Sequence, residues 1–170
     1  MYPNKVYIAL GTNLGNWKNN FNQAFKFISK LGTIDKIGSI YLSKPYGFDN
    51  QNYFYNTAIE FSTSLSPHFL QISLQLIEKR MKKNKKITNG PRNIDLDIIF
   101  YNRKIINQKK LNVPHISCHK RDFVMLPIIE INHFAYHPVL KKTLIELMKL
   151  LDEKFVTKIM RHGAKSLTIY

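Results

Sequence analysis

Residues 89–102 read NGPRNIDLDIIFYN, and within them Ile94, Leu96 and Ile98 alternate with Asp95 and Asp97. Side chains on a β-strand point to opposite faces in turn, so the apolar three share one face and both carboxylates share the other. The alternation calls for a sheet with core on one side and two acids about 7 Å apart on the other. Like charges at that spacing repel, and desolvation raises the cost. A divalent cation between them reverses the sign. Mg²⁺ in particular is held by one or two carboxylates together with substrate phosphates and waters. Many Asp-x-Asp pairs are only a solvated sheet face, but here Arg92 lies three residues upstream, basic residues precede the strand, and the opposite face is core.

With 170 residues, the chain is expected to form a single domain, residues 1–170, with a substantial core. No apolar run approaches the ~20 residues of a membrane span, and Val6–Leu10 is too short for the apolar core of a signal peptide. The one cysteine, Cys118, has no internal disulfide partner, which fits a reducing compartment. A cytoplasmic protein without a membrane partner is expected. The net charge of +15 suits an anionic partner, whether nucleic acid, an acidic membrane or a phosphorylated small molecule. Yet the excess is mostly lysine, 21 against 5 arginines, scattered along an Asn- and Ile-rich chain. A general compositional bias explains that equally well, so the charge alone selects no function.

The pattern predicts a strand at Val6–Leu10 ending in GTNLGN, then a helix at Trp17–Leu31 with Asn16 as N-cap and Gly32 as C′ stop. Strands follow at Thr33–Ser43 and Phe54–Ser62, separated by KPYGFDNQN. Ser66-Pro67 opens a second helix with Leu70, Leu74, Ile77 and Met81 inward. A polar, basic loop, MKKNKKITNGPR, leads to the aspartate strand at Ile94–Tyr101, which turns at Asn102-Arg103 into a hairpin partner at Lys104–Asn107. A loop and short helix cover VPHISCHKRDFVMLPIIEI, and a last helix fits Thr143–Leu151. The order β-α-β-β-α-β implies an α+β, ferredoxin-like fold with a mostly antiparallel sheet.

The chain contains neither a Walker A loop nor G-x-G-x-x-G. Phosphate therefore has to be held by cationic side chains: Lys82, Lys83, Lys85 and Lys86 on the basic loop, and Arg92 beside the acids. A loop of this kind can close over a polyphosphate and exclude water.

These residues resemble the 6-hydroxymethyl-7,8-dihydropterin pyrophosphokinase family of folate biosynthesis. GPRNIDLDIIFYN looks like its signature, and YIALGTNLGN, YLSKPYG, YNTAIEFSTSL and VPHISCHKRDFVMLPIIEI follow the family's order, covering roughly residues 5–131. The resemblance implies that a pterin hydroxymethyl oxygen attacks the β-phosphorus of ATP and AMP leaves, with two Mg²⁺ ions on Asp95 and Asp97. It implies catalytic roles for Arg92, Lys83 and Lys85, and ATP contacts at Gln75, Glu78, Arg92, Ile98, Lys110, His115 and Arg121. For the pterin it implies Phe54 and Phe123 as stacking faces, with Ser43, Lys44, Tyr46, Asn56 and Asp95 around them. An amide such as Asn56 inside an apolar strand needs a hydrogen-bonding partner, which a ligand can provide.

The chain departs from many relatives in carrying Asn89 where they have Trp, lysines where their basic loop has arginines, and Lys44 and Tyr46 beside the pterin. Lysine keeps the charge but loses bidentate phosphate recognition. Two other readings share some of these features. An RNA-binding module on the same topology would use sheet aromatics for stacking, but two acids on that sheet would repel phosphate. Another two-metal phosphotransferase would share Asp95 and Asp97 without the pterin pocket. The expectation is a monomer acting on small molecules, with no nucleic-acid partner.

Overall fold

The alternating segment forms the edge strand of a six-stranded sheet. A computed structural model describes residues 3–81 and 90–160. The elements are β1 (Asn4–Thr12), α1 (Trp17–Ile28), β2 (Thr33–Ile37), β3 (Ile40–Ser43), β4 (Phe54–Thr63), α2 (Pro67–Arg80) and β5 (Asp95–Tyr101). They continue with β6 (Ile106–Gln108), β7 (Leu111–Val113), a 3-10 turn at Cys118–Lys120, α3 (Asp122–Ile131), β8 (Tyr136–His137), β9 (Lys142–Thr143), α4 (Leu144–Lys149) and β10 (Val156–Met160). The main sheet runs β10-β3-β4-β1-β5, with β2 also on β4. Every strand pairing among the described residues is antiparallel. The α+β, ferredoxin-like expectation is met.

Each face of the sheet follows from strand alternation. Val6, Ile8 and Leu10 of β1, with Ile94, Leu96 and Ile98, pack against Phe21, Phe25 and Ile28 of α1 and Leu70, Leu74 and Ile77 of α2. Tyr7, Ala58, Ile99 and Phe100 face the other way, onto Val124, Met125 and Ile128 of α3 and Leu144 and Leu147 of α4. A register shift between Tyr7 and Ile8 makes β5 bulge, since Ile8 opposes Ile98 while Tyr7 opposes Phe100. Ile99 is the extra residue, so Ile99 and Phe100 both join the front cluster and Tyr101 returns to the rear one.

Caps at the starts of α1 and α2 are as the sequence predicts. Asn16 accepts from Asn19 N–H, Ser66 accepts from Phe69 N–H, and Pro67 opens α2. The end of α1 differs. It stops at Ile28 with Ser29 as C-cap, and Gly32 serves close approach instead of a helix stop. A Cβ on Gly32 would lie 2.2 Å from the Ser62 carbonyl oxygen and 2.8 Å from the Phe61 ring. The single strand expected over residues 33–43 is also split. Gly38 lies against α3, where a Cβ would come within 2.9 Å of Pro127 Cβ. Ser39 donates its N–H and Oγ–H to the Glu130 carboxylate at 2.8 and 2.7 Å. The partner of β6 is β7, not the aspartate strand. The last helix is shorter than expected, running from Leu144 to Lys149 behind a Thr143–Glu146 capping box. No helix among the described residues is long and apolar enough to cross a membrane.

Gly32→Ala forces overpacking at a backbone oxygen that cannot rotate away. It should lower unfolding free energy by about 1–3 kcal/mol, read as a shift in the urea midpoint. An unchanged midpoint would show that the α1–β2 connection can move aside.

Candidate active site

On the front face Asp95 stands opposite Gly11 and Asp97 opposite Ala9. Two small neighbours leave open space above the carboxylates, and α3 covers only the far part of this face. The result is a cavity of about 250 Å³. β5 is the sheet's edge strand, and Glu78 of α2 covers that edge: its buried Oε1 accepts the Leu96 N–H at 2.8 Å, between the two aspartates. Glu78 thus holds the strand that carries Asp95 and Asp97. A third acid on the same face, Glu60, shows what such a group ordinarily requires. It is buried, accepts from Tyr7 Oη at 2.8 Å, and has Lys5 and Lys36 at 3.4 and 3.7 Å.

Arg92 Nε lies 3.4 Å from Asp95 Oδ2, and its guanidinium sits 5.0 Å from the centre of the Phe54 ring. Its backbone is clamped by Asn13, whose N–H donates to Arg92 O and whose Oδ1 accepts from Arg92 N. The Asn13 amide also donates to Gln51 Oε1 and Asn52 O, joining the end of β1 to the loop before β4. Arg121 lies 4.6 Å from the centre of the Tyr46 ring. Beyond that ion pair, the Nε atoms of Arg92 and Arg121 are both buried without a hydrogen-bond partner among the described residues. Buried polar groups are ordinarily satisfied, so two such donors on one cavity are suited to an anion.

His115 is held by the bulge, its N–H donating to Ile99 O at 3.1 Å. Its Nδ1 accepts from Ser117 N–H at 3.3 Å, which places the neutral ring's proton on Nε2. Burial lowers its pKa from 6.5 to about 4, with the Arg121 charge acting in the same direction and Asp95 opposing. Asp122, buried between Arg121 and Phe123 in sequence, accepts the N–H groups of Phe123, Phe155 and Val156 at 2.8, 2.9 and 2.9 Å. It ties the start of α3 to β10, and so fixes where both flanking site residues sit.

The cavity gathers Arg92, Asp95, Asp97, His115 and Arg121 together with Ser43, Lys44, Tyr46, Phe54, Asn56 and Phe123. Asn56 is less needy than the sequence implies: Nδ2 donates to Ser43 Oγ at 2.9 Å and Tyr41 O at 3.3 Å. Its Oδ1 lies over Gly11, where a Cβ would come within 3.3 Å. Phe123 packs edge-on against Tyr46 and Phe155. A second cavity of about 180 Å³ holds Ile98 and Lys110. Asp97 and His115 line both cavities. Gln71 and Asn112, which the sequence did not single out, line the second. Gln75 is exposed on α2, and neither it nor Glu78 reaches these two cavities. Lys82, Lys83, Lys85, Lys86 and Asn89 lie outside the described residues.

An α+β fold that brings paired carboxylates, two arginines and an imidazole to one cavity, with Asp97 and His115 shared by a second, suits a transferase that handles phosphate. The family model for 7,8-dihydro-6-hydroxymethylpterin-pyrophosphokinase (HPPK) matches residues 7–133, and the chain belongs to that family, as a pyrophosphokinase-class enzyme of folate synthesis. It is 37% identical over 141 residues to the 2-amino-4-hydroxy-6-hydroxymethyldihydropteridine pyrophosphokinase of Aquifex aeolicus, covering 83% of this chain and 88% of that one. It is 45% identical over 135 residues to the folic acid synthesis protein fol1 of Pneumocystis carinii, covering 79% of this chain but only 18% of that longer protein. Among solved structures, wild-type Plasmodium falciparum HPPK-DHPS with SDX-DHP has a similar fold, with a TM-score of 0.73 at 17% identity, covering 88% of this chain and 45% of that one.

The depressed His115 pKa makes stability depend on pH. The unfolded ring binds a proton below 6.5 while the folded one resists until about 4, so stability is full above 6.5 and lost as pH falls through that window. The shift corresponds to about 3 kcal/mol. His115→Asn should therefore lose about that much less than the parent between pH 6.5 and 4 in urea titrations; equal pH slopes would refute the burial account. Asp122→Ala should destabilise by about 2–4 kcal/mol, because three backbone donors lose a charged acceptor, and calorimetry would measure it.

Proposed function

We propose that this protein is a single-domain, monomeric, cytoplasmic enzyme that transfers the pyrophosphoryl group of ATP to the hydroxymethyl oxygen of 6-hydroxymethyl-7,8-dihydropterin, releasing AMP. The observation that carries this reading is the junction of the two cavities at Asp97 and His115. A flat ring between Phe54 and Phe123 would bring its substituent towards the acid pair from one side. A nucleotide along Ile98 and Lys110 would bring its phosphates there from the other. Transfer of this kind needs little covalent help and depends on in-line positioning and charge neutralisation.

The donor set fits Mg²⁺, since two hard carboxylates above small residues leave coordination positions for water and phosphate. We assign two ions to Asp95 and Asp97; bound there, they would neutralise phosphate charge on the attacking and leaving sides. The chain's own groups supply the rest. Asn56 Oδ1 offers an acceptor to the donor edge of a pterin, and its N–H groups, used on Ser43 and Tyr41, fix the amide's orientation. Arg92 and Arg121 rest on aromatic faces and would exchange those contacts for phosphate oxygens, bidentate recognition favouring arginine. Neutral His115 would donate its Nε2 proton to the nucleotide, and Lys110 would add charge beside it. Lys83 and Lys85 are assigned to the polyphosphate by family resemblance alone, and Gln75 to ATP on the same ground. Glu78 acts as a positioning residue for β5.

The test mixes the protein with Mg²⁺, ATP and 6-hydroxymethyl-7,8-dihydropterin and identifies the nucleotide released. Pterin-dependent AMP is expected, and Asp95→Ala or Asp97→Ala should slow it on the order of 10³-fold, the loss of several kcal/mol of charge stabilisation. ADP as product, or activity indifferent to both substitutions, would refute the assignment.

A further inference from the structure

Tyr46 also lines a separate, larger cavity of about 530 Å³, together with His119, Lys120, Leu147, Asp152 and Phe155. Around His119, which lines it, three potential metal ligands meet. Cys118 and His119 open the 3-10 turn, His137 closes β8, and one donor atom from each lies within 4.8 Å of the others. Cys118 and His137 are buried. The two imidazole rings stand edge to face, 5.8 Å apart at 86°. His119 Nδ1 is buried with no hydrogen-bond partner among the described residues, an unusual condition for a polar atom and one that a ligand would relieve.

We propose that Cys118, His119 and His137 form a Zn²⁺-binding site, separate from Asp95 and Asp97, whose fourth position opens on the His119 side towards this larger cavity. The donor types fit: Zn²⁺ takes thiolate sulfur and imidazole nitrogen at about 2.0–2.3 Å in tetrahedral geometry, and a three-residue site leaves one place for water. Tetrahedral bonds of that length place the donor atoms roughly 3.3–3.6 Å apart, so they have to close by up to about 1.5 Å on binding. Both histidines are held towards the neutral form by burial, so they need shed no proton to bind metal. The Cys118 thiol, pushed up to about 12 by burial, does need to. Binding forms the S–Zn bond, breaks the S–H bond and releases that proton to solvent through the cavity. His137 Nδ1 accepts a long hydrogen bond from Leu140 N–H at 3.2 Å. Metal ligation gives this contact up, and Leu140 is exposed, so water can replace it.

The test titrates Co²⁺ into the reduced, metal-free full-length protein with Mg²⁺ in excess to cover the acid pair. One equivalent should produce thiolate-to-cobalt charge transfer in the near ultraviolet and tetrahedral bands in the visible, both bleached by Zn²⁺. Cys118 is the only cysteine, so a thiolate band reports that residue alone. His119→Ala and His137→Gln should each weaken Co²⁺ binding at least ~10-fold, while Asp97→Asn leaves it unchanged; circular dichroism checks that each variant is folded. His119 is the less buried of the two histidines and carries the test if His137→Gln unfolds. No thiolate band at saturating Co²⁺, a band indifferent to His119→Ala, or one lost with Asp97→Asn would each overturn the proposal. Zn²⁺ should also raise the melting temperature of the parent but not of Cys118→Ser, by preferential binding to the folded state.

Discussion

The pairing of β5 with β1 is the contact on which the site depends. It sets Asp95 beside Gly11 and Asp97 beside Ala9, and a slip of one residue would turn both carboxylates into the core and the isoleucines into the cavity. Burial of Ile94, Leu96 and Ile98 resists that slip, at about 1.5–3 kcal/mol for each side chain. Glu78 adds a second lock from outside the sheet by taking the Leu96 N–H. The bulge at Ile99 then departs from strict pairing where departure is useful, because it presents the carbonyl that holds His115. Acid pair and imidazole are thus placed by the same strand.

The second constraint is unequal cover. Two long helices close the rear of the sheet, whereas α3 spans only part of the front. Its placement comes from polar anchors as well as packing: Glu130 grips Ser39, and Asp122 grips the chain at Phe155 and Val156. Where α3 stops short, the floor is Gly11 and Ala9 and the walls are aromatic. The two arginines of the cavity lie on Phe54 and Tyr46, contacts worth ~0.5–2 kcal/mol each. Such contacts are weak enough to be exchanged for phosphate, yet they keep the guanidinium groups inside the cavity.

Charge follows the same division between local and global. The chain carries a net +15, which would attract any polyanion, so it says little about which one. Defined geometry is confined to a few groups: two carboxylates on one face, two buried Nε donors, and an amide whose orientation is fixed by Ser43 and Tyr41.

The sequence by itself determined the features whose cause is local. Period-two alternation put Asp95 and Asp97 on one face, Asn16 and Ser66-Pro67 capped the helices, and family resemblance grouped Arg92, His115, Arg121, Asn56 and Phe123. Only the tertiary structure decided what depends on distant neighbours. Gly38 breaks a strand because α3 lies against it, and Gly32 is required by a carbonyl thirty residues away. Gln71 lines the second cavity while Gln75 is exposed, and Glu78 bonds to β5, because helix rotation is set by packing. Asp122 and the meeting of Cys118, His119 and His137 had no local signal, since their partners come from β10 and β8. Periodicity reports which face a residue occupies; what stands opposite that face is fixed only when the elements dock.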